Sequence, residues 1–248
     1  MICKTEQDIE GMRKANRLVA EALKYAESLI CPGISTYELD KKVEKFIIDN
    51  GAIPSFKGYD GYPGSICTSV NEVVVHGIPS KDVILKEGDI ISVDIGTLLD
   101  GYNGDAARTF PVGKISAEKQ KLIDVTKQSF FEGVNKLKAG VRLGELSNAI
   151  QTYAESFGYG VVRELVGHGI GHNMHEEPEV PNYGQKNKGI IVKENMCLAV
   201  EPMITMGKRY IYMKNDGWTI VTQDNLPAAH YENTLIVTRD GVEILSLY

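Results

Sequence analysis

Four acidic residues lie in or beside segments that are otherwise apolar. They are Asp94 at the end of IISVD, Glu201 at the end of CLAVE, Asp105 in GYNGDAART and Glu232 in AHYENTLIVT. A solvated strand face would explain one such acid but explains four less well, because acids are disfavoured in strands and are rarely buried unpaired. Arg108 could pair with one of them. Divalent cations are the other means of neutralising buried carboxylates, and four negative charges balance two such ions.

Three of the five histidines lie in one glycine-rich segment, GHGIGHNMHEEP. His168 and His172 have the spacing of the HExxH zinc helix, but the glutamate is missing and two glycines in one turn oppose a helix, so we reject that interpretation. The glycines indicate a backbone that something approaches closely, with a plain polar loop as the alternative. His76, in NEVVVHGIP, fits a structural or a catalytic role equally. His230, two residues before Glu232, is neutral evidence.

The elements that must position these residues follow from capping, periodicity and turn signals. Capping-box patterns at Thr5/Asp8 and Ser35/Glu38 predict two amphipathic helices, and Asn50-Gly51 predicts the end of the second. The remaining predictions are a strand-like run over 66–77, a hairpin of 89–99 and 102–112 around Asp100-Gly101, helices near 117–139 and 143–157, and strands and loops after them.

The order of helices and strands occurs twice, at one constant offset along the chain. GISTYELDKKVEKFIIDNG, which begins at Gly33, aligns with GVRLGELSNAIQTYAESFG, which begins at Gly140, and the same offset places Asp94 on Glu201. Alternation along a strand turns each of these two acids away from an apolar face. The sequence therefore predicts an α+β fold with internal pseudo-twofold symmetry, over a single domain at 1–248 with halves of about 1–112 and 113–248.

Composition sets the broad class of protein. A hydrophobic content of 43% and a charged content of 24% exclude bulk disorder, and a net charge of −6 argues against a nucleic-acid backbone as the main partner. The four cysteines form no CxxC motif and are typical of reduced thiols. The first residues lack the apolar run of a signal peptide, and no apolar segment is long enough to span a membrane. We therefore expect a cytoplasmic protein with no membrane partner.

Seven of these residues, in chain order, resemble the type I methionyl aminopeptidases in their short bacterial form. They are His76, Asp94, Asp105, His168, His175, Glu201 and Glu232, and both their order and their spacing match the family. The strings NEVVVHGIP, DIGTLLDGYNGDAARTF, GHGIGHNMHEEP, AVEPM and YENT agree as well. The resemblance runs from about residue 5 to the C-terminus.

The resemblance implies a pita-bread fold, in which two pseudo-symmetric halves share a central curved, mostly antiparallel sheet with helices on its outer face. It also implies two divalent metal ions per chain, of Co, Mn, Fe(II) or Zn. The implied metal ligands are Asp94, Asp105, His168, Glu201 and Glu232, with Asp105 and Glu232 bridging both ions. Glu201 would also act as general base, His175 would donate to the scissile carbonyl oxygen and His76 would contact the amide nitrogen.

The resemblance further implies a pocket for a methionine side chain. Its residues would be Phe56, Tyr59, Tyr62, Cys67, His76, Met174, His175 and Trp218. Phe56 stands where the family commonly has cysteine, and Met174 stands where it commonly has an aromatic residue. An aromatic lining suits a polarizable thioether, so a preference for methionine is expected. His172 matches no ligand of the family and is expected at the cleft rim or in solvent.

The implied activity is removal of the N-terminal methionine from nascent proteins and peptides, preferentially before a small second residue, by attack of metal-activated water on the first peptide bond. The alternatives are a related X-Pro metallopeptidase, usually longer by an N-terminal domain, and a non-catalytic pita-bread binding protein, which should have broken ligands. We expect a monomer that binds peptides beginning with Met, with transient proximity to the ribosome and no direct nucleic-acid role.

Overall fold

The computed structural model describes all residues from 1 to 248. Its helices are α1 (Glu6–Leu29), α2 (Thr36–Asp49), α3 (Ala117–Val134) and α4 (Gly144–Ser156). Both predicted capping boxes are confirmed: Thr5 and Ser35 each accept from the backbone three residues on, and the acid there bonds back. Helix α3 ends before the predicted residue 139, because i→i+3 hydrogen bonds tighten the chain after Val134.

The first half of the chain contributes five strands around one long hairpin. They are β1 (Ile53–Pro54), β2 (Cys67–Val70), β3 (Val73–Val75), β4 (Ile90–Leu99) and β5 (Tyr102–Pro111). Strand β4 pairs antiparallel with β5 along its whole length, and also with β1 and β2. The predicted hairpin is confirmed, since both turn residues, Asp100 and Gly101, have positive φ, as a two-residue turn requires.

Ten shorter strands follow. They are β6 (Gly160–Val161), β7 (Gly167–Gly169), β8 (Glu176–Val180), β9 (Cys197–Val200), β10 (Met203–Thr205), β11 (Ile211–Met213), β12 (Ile220–Thr222), β13 (Ala228–His230), β14 (Asn233–Val237) and β15 (Val242–Ile244). They form antiparallel sheets in the orders β15-β14-β9-β7-β8, β13-β10-β6 and β11-β12-β3. The prediction of one strand over 66–77 was wrong: Asn71, at φ +50°, separates β2 from β3, which joins a different sheet.

Two apolar cores lie under the two pairs of helices. In the first, side chains of α1 and α2 pack against Ile91, Val93 and Ile95, which are fully buried as the alternation predicts. In the second, Leu198 and Val200 of β9 pack in a cluster with residues of α3 and α4. Each core draws the apolar face of its strand toward the helices, so the acids at 94 and 201 are left on the opposite faces. The division of the chain into halves at 112 and 113 stays a prediction.

The two parts of the chain meet where β5 lies beside β14. The backbone N–H of Glu232 donates to the carbonyl of Ala107 at 2.9 Å, and the Thr234 hydroxyl donates to the carbonyl of Asp105 at 2.9 Å. A third apolar cluster spans the same junction and contains Met12 of α1. These contacts bring the segments that carry the acids together. None of the helices is long and apolar enough to cross a membrane.

Candidate metal centre

The hairpin of β4 and β5 presents Asp94 and Asp105 from neighbouring strands. Asp94 is paired with Cys67 on β2 and with Ala107 on β5, while Asp105 is paired with Gly96. Because the residues on either side of Asp94 are held in the first core, its carboxylate points to the face away from α1 and α2. The long continuous ladder fixes the positions of both acids.

The other two acids come from the ends of shorter strands. Glu201 follows β9 directly, and Pro202 after it has no N–H with which to extend the ladder. Glu232 lies between β13 and β14 and is 2% exposed. The backbone contacts between β5 and the start of β14 bring Glu232 close to Asp105. Four carboxylates that are far apart in the sequence are thereby brought into one cavity.

His168, in the middle of β7, directs one ring nitrogen at these acids. Its Nδ1 lies 2.9 Å from the Gly169 carbonyl oxygen. Because a carbonyl only accepts, Nδ1 carries the proton and the lone pair is on Nε2. That Nε2 atom is 3.7 Å from Asp105 Oδ2 and 3.7 Å from Glu201 Oε1. A backbone hydrogen bond that fixes the tautomer in this way is the usual support of a metal-binding imidazole.

The acids are close together and lack cationic partners. Ligand atoms of Asp105, His168 and Glu232 lie within 4.8 Å of one another. No lysine or arginine forms an ion pair with any of the four acids, and one oxygen each of Asp94, Asp105 and Glu232 is buried without a hydrogen bond. Buried polar atoms of this kind require an explanation, and a cation supplies one.

Burial determines the titration of the cluster. It raises the pKa of Asp94 to about 7 and that of Glu201 to about 8. Burial, followed by repulsion from the neighbouring acids, raises the pKa values of Asp105 and Glu232 well above their ordinary range. Burial also lowers the pKa of His168 to about 4, so its imidazole is neutral near pH 7. A neutral imidazole beside carboxylates that need a counter-charge is the donor set of a divalent metal.

Arg108, the basic residue considered in the sequence, does not neutralise the acids. Its guanidinium donates to the carbonyls of Ala107, Glu232 and Ser246 and to Asn233 Oδ1, and it lies over the ring of Tyr231. The arginine therefore supports the backbone of Glu232 and leaves the carboxylate free. The residues present fit a divalent metal site better than they fit a buried salt bridge.

The acids form one wall of a cavity of about 310 Å³. Twelve of the thirteen predicted site residues line it: Phe56, Tyr59, Tyr62, Cys67, His76, Asp94, Asp105, His168, His175, Glu201, Trp218 and Glu232. Sequence reasoning missed its other residues, which are Asp60, Val75, Leu165, Val166 and Met203. Val75 precedes His76, and Met203 begins β10 two residues after Glu201, so nearness in the sequence to predicted site residues was the available signal for these two.

One part of the cavity wall is aromatic and largely apolar. The rings of Tyr62 and Trp218 meet edge to face at 5.2 Å, and the Tyr62 hydroxyl donates to the Gly77 carbonyl at 3.0 Å. Cys67 is 5% exposed, and burial raises the pKa of its thiol, so it packs as a neutral side chain. These residues offer a pocket for an uncharged side chain beside the acids.

Two further histidines face the same cavity. His76 has a φ of +58°, an unusual conformation for a residue other than glycine, and its ring is 6.4 Å from that of Trp218. His175 lies 4.3 Å from His168 between ring centroids, and its Nδ1 is 2.8 Å from the Tyr59 hydroxyl. Burial lowers the pKa of His76 to about 4 and also lowers that of His175. Both rings are therefore neutral near pH 7.

Two neighbours of His175 lie outside the cavity. Met174, predicted in the pocket, is 4% exposed and packs in the third apolar cluster, close to Gly96 and behind Phe56. It does not line the pocket, because the chain turns between it and His175. His172 is exposed, as expected, with its ring 4.7 Å from that of Tyr102 and its Nδ1 2.8 Å from the Gly101 carbonyl.

Comparisons with known proteins agree with this geometry. The family model described as metallopeptidase family M24 matches residues 10–239. The chain is 56% identical to a methionine aminopeptidase of Clostridium acetobutylicum over 247 residues, which cover 100% of this chain and 99% of the relative. It is 52% identical to methionine aminopeptidase 1 of Bacillus subtilis over 99% of both chains.

A solved structure gives the same answer for the fold. The methionine aminopeptidase from Rickettsia prowazekii superposes with a TM-score of 0.97, at 42% identity over 100% of both chains. The pita-bread fold class is thereby confirmed, and the X-Pro and non-catalytic alternatives are not favoured. Since the family model spans nearly the whole chain and the relatives match it from end to end, the chain belongs to metallopeptidase family M24.

Proposed function

We propose that this protein is a metal-dependent aminopeptidase that removes N-terminal methionine from peptides and newly made proteins, preferentially before a small second residue. The observation that carries the proposal is the convergence of four carboxylates and three imidazoles on one cavity that also has an aromatic wall. The acids supply a site for cations, and the wall supplies a site for an uncharged side chain. An enzyme that recognises a free N-terminus and one apolar residue needs both.

The metal would be held by Asp94, Asp105, His168, Glu201 and Glu232. Their four negative charges balance two divalent ions, and a set rich in oxygen donors with one imidazole suits Mn, Fe(II), Co or Zn. Bound ions would supply Lewis acidity that activates water and binds the free amine of the substrate. Asp105 and Glu232, which the contacts between β5 and β14 bring together, would hold the metal with the other three ligands.

The remaining steps are assigned to side chains of this protein. The Glu201 carboxylate accepts the proton of the attacking water and returns it to the leaving amine. The Nε2–H of His175 donates to the scissile carbonyl oxygen as negative charge develops there. The Tyr59 hydroxyl, 2.8 Å from Nδ1, donates to that atom and so keeps the proton on Nε2. His76 contacts the scissile nitrogen and orients it.

Specificity would come from the aromatic wall. Tyr62, Trp218 and Cys67 surround the methionine side chain, whose thioether packs well against ring edges. Phe56 narrows the same pocket beside Gly96, where any larger side chain would meet the Phe56 ring. In the cell, such substrates are nascent chains, so we expect the protein to act in the cytoplasm, near the ribosome. We also expect it to act as a monomer.

The test is cleavage of a series of peptides Met-Gly-Xaa in which the first and the second residue are varied in turn. The series is run with Mn, Co, Fe(II) or Zn added to chelator-treated protein. Release of methionine alone, with norleucine tolerated and lysine or proline refused at the first position, is the expected result. Cleavage only of X-Pro bonds, or no cleavage with any metal, would contradict the proposal.

A further inference from the structure

His230 is a buried histidine to which the proposed reaction assigns no role. It is the last residue of β13, it is 1% exposed, and neither of its ring nitrogens has a hydrogen-bond partner. Its backbone is held firmly: its N–H donates to Thr109 Oγ1 and its carbonyl accepts from the same hydroxyl, both at 2.9 Å. A buried side chain whose two polar atoms are both unpaired costs stability. Such a cost calls for an explanation, and a role in the site supplies one.

The His230 ring lies beside the Glu201 carboxylate, near the oxygen that His168 does not approach. His230 Nε2 is 3.5 Å from Glu201 Oε2, whereas Oε1 of the same carboxylate is 3.7 Å from His168 Nε2. The carboxylate is therefore placed between two imidazoles. They are not equivalent, because the proton of His168 is held on Nδ1 by the Gly169 carbonyl and its Nε2 cannot donate.

The unpaired atoms of His230 allow the opposite tautomer. Neither ring nitrogen has a hydrogen-bond partner, but Nε2 lies 3.5 Å from a carboxylate oxygen, so a neutral ring with its single proton on Nε2 points that proton at Glu201. We propose that His230 is a positioning residue that holds Oε2 of Glu201 through its Nε2–H and leaves Oε1 facing the other acids. This inference rests on the role of Glu201 in the proposed function.

Glu201 has more need of such support than Asp94. Its side chain is longer by one rotatable bond, and the strand that carries it stops at Pro202, so the backbone restrains it less. Hydrogen-bond partners behind a metal ligand commonly contribute about 10–100-fold to metal affinity or activity. His230 is in position to make that contribution from β13, which pairs with β10, the strand that follows Glu201.

The experiment compares His230→Gln, His230→Asn and His230→Leu. The glutamine amide reaches the place of Nε2 and can donate there, whereas the asparagine amide reaches only the place of Nδ1. We expect His230→Gln to stay within about threefold of the wild type, and the other two variants to lose about 10–100-fold in kcat with little change in KM. Mn(II) affinity, measured by titration calorimetry, should weaken about tenfold in the same two variants.

Two results would overturn the role of His230. One is a leucine variant with wild-type kcat and Mn(II) affinity, and the other is a glutamine variant as impaired as the leucine variant. Melting curves of metal-free protein show whether each variant is folded, and if leucine is not tolerated, the glutamine and asparagine variants decide by themselves. Failure of the wild type to bind Mn(II) and release methionine would contradict the proposed function instead, independently of His230.

Discussion

Asp94 and Glu201 hold corresponding places in the two halves of the sequence, but their surroundings differ. Asp94 lies in the middle of the ten-residue strand β4 and is paired on both sides, with Cys67 and Ala107. Glu201 comes after the four-residue strand β9, where Pro202 ends the ladder. The same pattern of apolar residues thus accompanies an acid fixed within a sheet, Asp94, and an acid at the end of a strand, Glu201.

The difference indicates a division of labour. An acid held by strands on both sides keeps one geometry, which suits a pure metal ligand. An acid at a strand end, with an imidazole near each oxygen, is positioned by neighbouring side chains instead of a ladder, which suits the proton transfer proposed for Glu201. The histidines sharpen the contrast, because His168 and His230 both come from the second half. The pseudo-symmetry provides two acids, and departures from it fit the different tasks proposed for them.

Replacing the two acids tests this contrast most strongly. We expect Asp94→Asn and Glu201→Gln each to lose activity by about 10³-fold or more, since several kcal/mol of charge stabilisation depends on the metal. Asp94→Asn should lose more Mn(II) affinity, and Glu201→Gln should lose more kcat once metal is saturating. Calorimetry and steady-state kinetics measure the two effects. Asp49→Asn, at an exposed helix end, is the control, and an active, fully metallated Glu201→Gln would contradict the dual role of this acid.

His175→Ala tests whether the second half supplies chemistry beyond metal binding. We expect turnover to fall by about 10²–10³-fold with Mn(II) affinity retained, because the lost group donates only to developing charge. The matched control is His172→Ala in the same glycine-rich segment, whose ring packs on Tyr102 outside the cavity. Near-normal turnover of His175→Ala would refute the role of this histidine as a donor.

The two cores can be compared through Val93 and Val200, which the offset between the two halves relates. Both are fully buried, one in each core. We expect Val93→Ala and Val200→Ala each to cost about 2 kcal/mol of unfolding free energy, from lost burial and an unfilled cavity. Urea denaturation measures both, with the 40%-exposed Val83→Ala as the control. A large effect in only one half would show that the duplicated strands are not packed alike.

The pH dependence of stability tests the cluster of acids as a whole. In metal-free protein the folded-state pKa values of Asp94 and Glu201, about 7 and about 8, lie above their ordinary 3.8 and 4.5. The folded state then holds more protons than the unfolded state, so stability falls as pH rises through those values. We expect the melting temperature with chelator to drop by a few degrees, roughly 2–4 °C per kcal/mol, between pH 6 and 8.5.

Added Mn(II) should abolish that fall, since the cation takes the place of the protons. The histidines oppose this fall only below about pH 7, because they stay neutral in the folded state while their ordinary pKa of 6.5 lets the unfolded state bind protons there. A metal-free protein that becomes more stable between pH 6.5 and 8.5 would contradict the unpaired state of the acids.

The smallest expected effect concerns an ion pair that joins the halves at the surface. Arg13 of α1 donates to both oxygens of Glu243 of β15, each at 2.8 Å. The Arg13 hydrogen bond lowers the pKa of Glu243, so its stabilisation exists above pH 4.5 and disappears as pH falls further. Since both side chains are more than a third exposed, we expect Arg13→Met to cost only about 0.5 kcal/mol. High salt should remove the difference, and a cost that persists in high salt would indicate packing instead.

Local structure was largely predictable from the sequence by itself. The capping boxes at Thr5 and Ser35 act over three residues, and the Asp100-Gly101 turn acts over four, so the helix starts and the long hairpin needed no distant information. The constant offset between the halves related Asp94 to Glu201 in the same way. The alternation of side chains along a strand is a local property, so each acid could be assigned to a face from its own segment. The residues themselves singled out Glu232 and the histidines, and the resemblance to a family supplied their roles and connected them into one site.

Tertiary structure decided what the side chains meet. The break between β2 and β3, the burial of Met174 behind Phe56, and the approach of His230 to Glu201 all depend on which strands pair and in what register. Pairing joins residues that are distant in the sequence, and its free energy comes from burying both partners together, so neither segment encodes it alone. The sequence therefore determined which acids and imidazoles this protein has, and the packing of its two cores determined that they share one cavity.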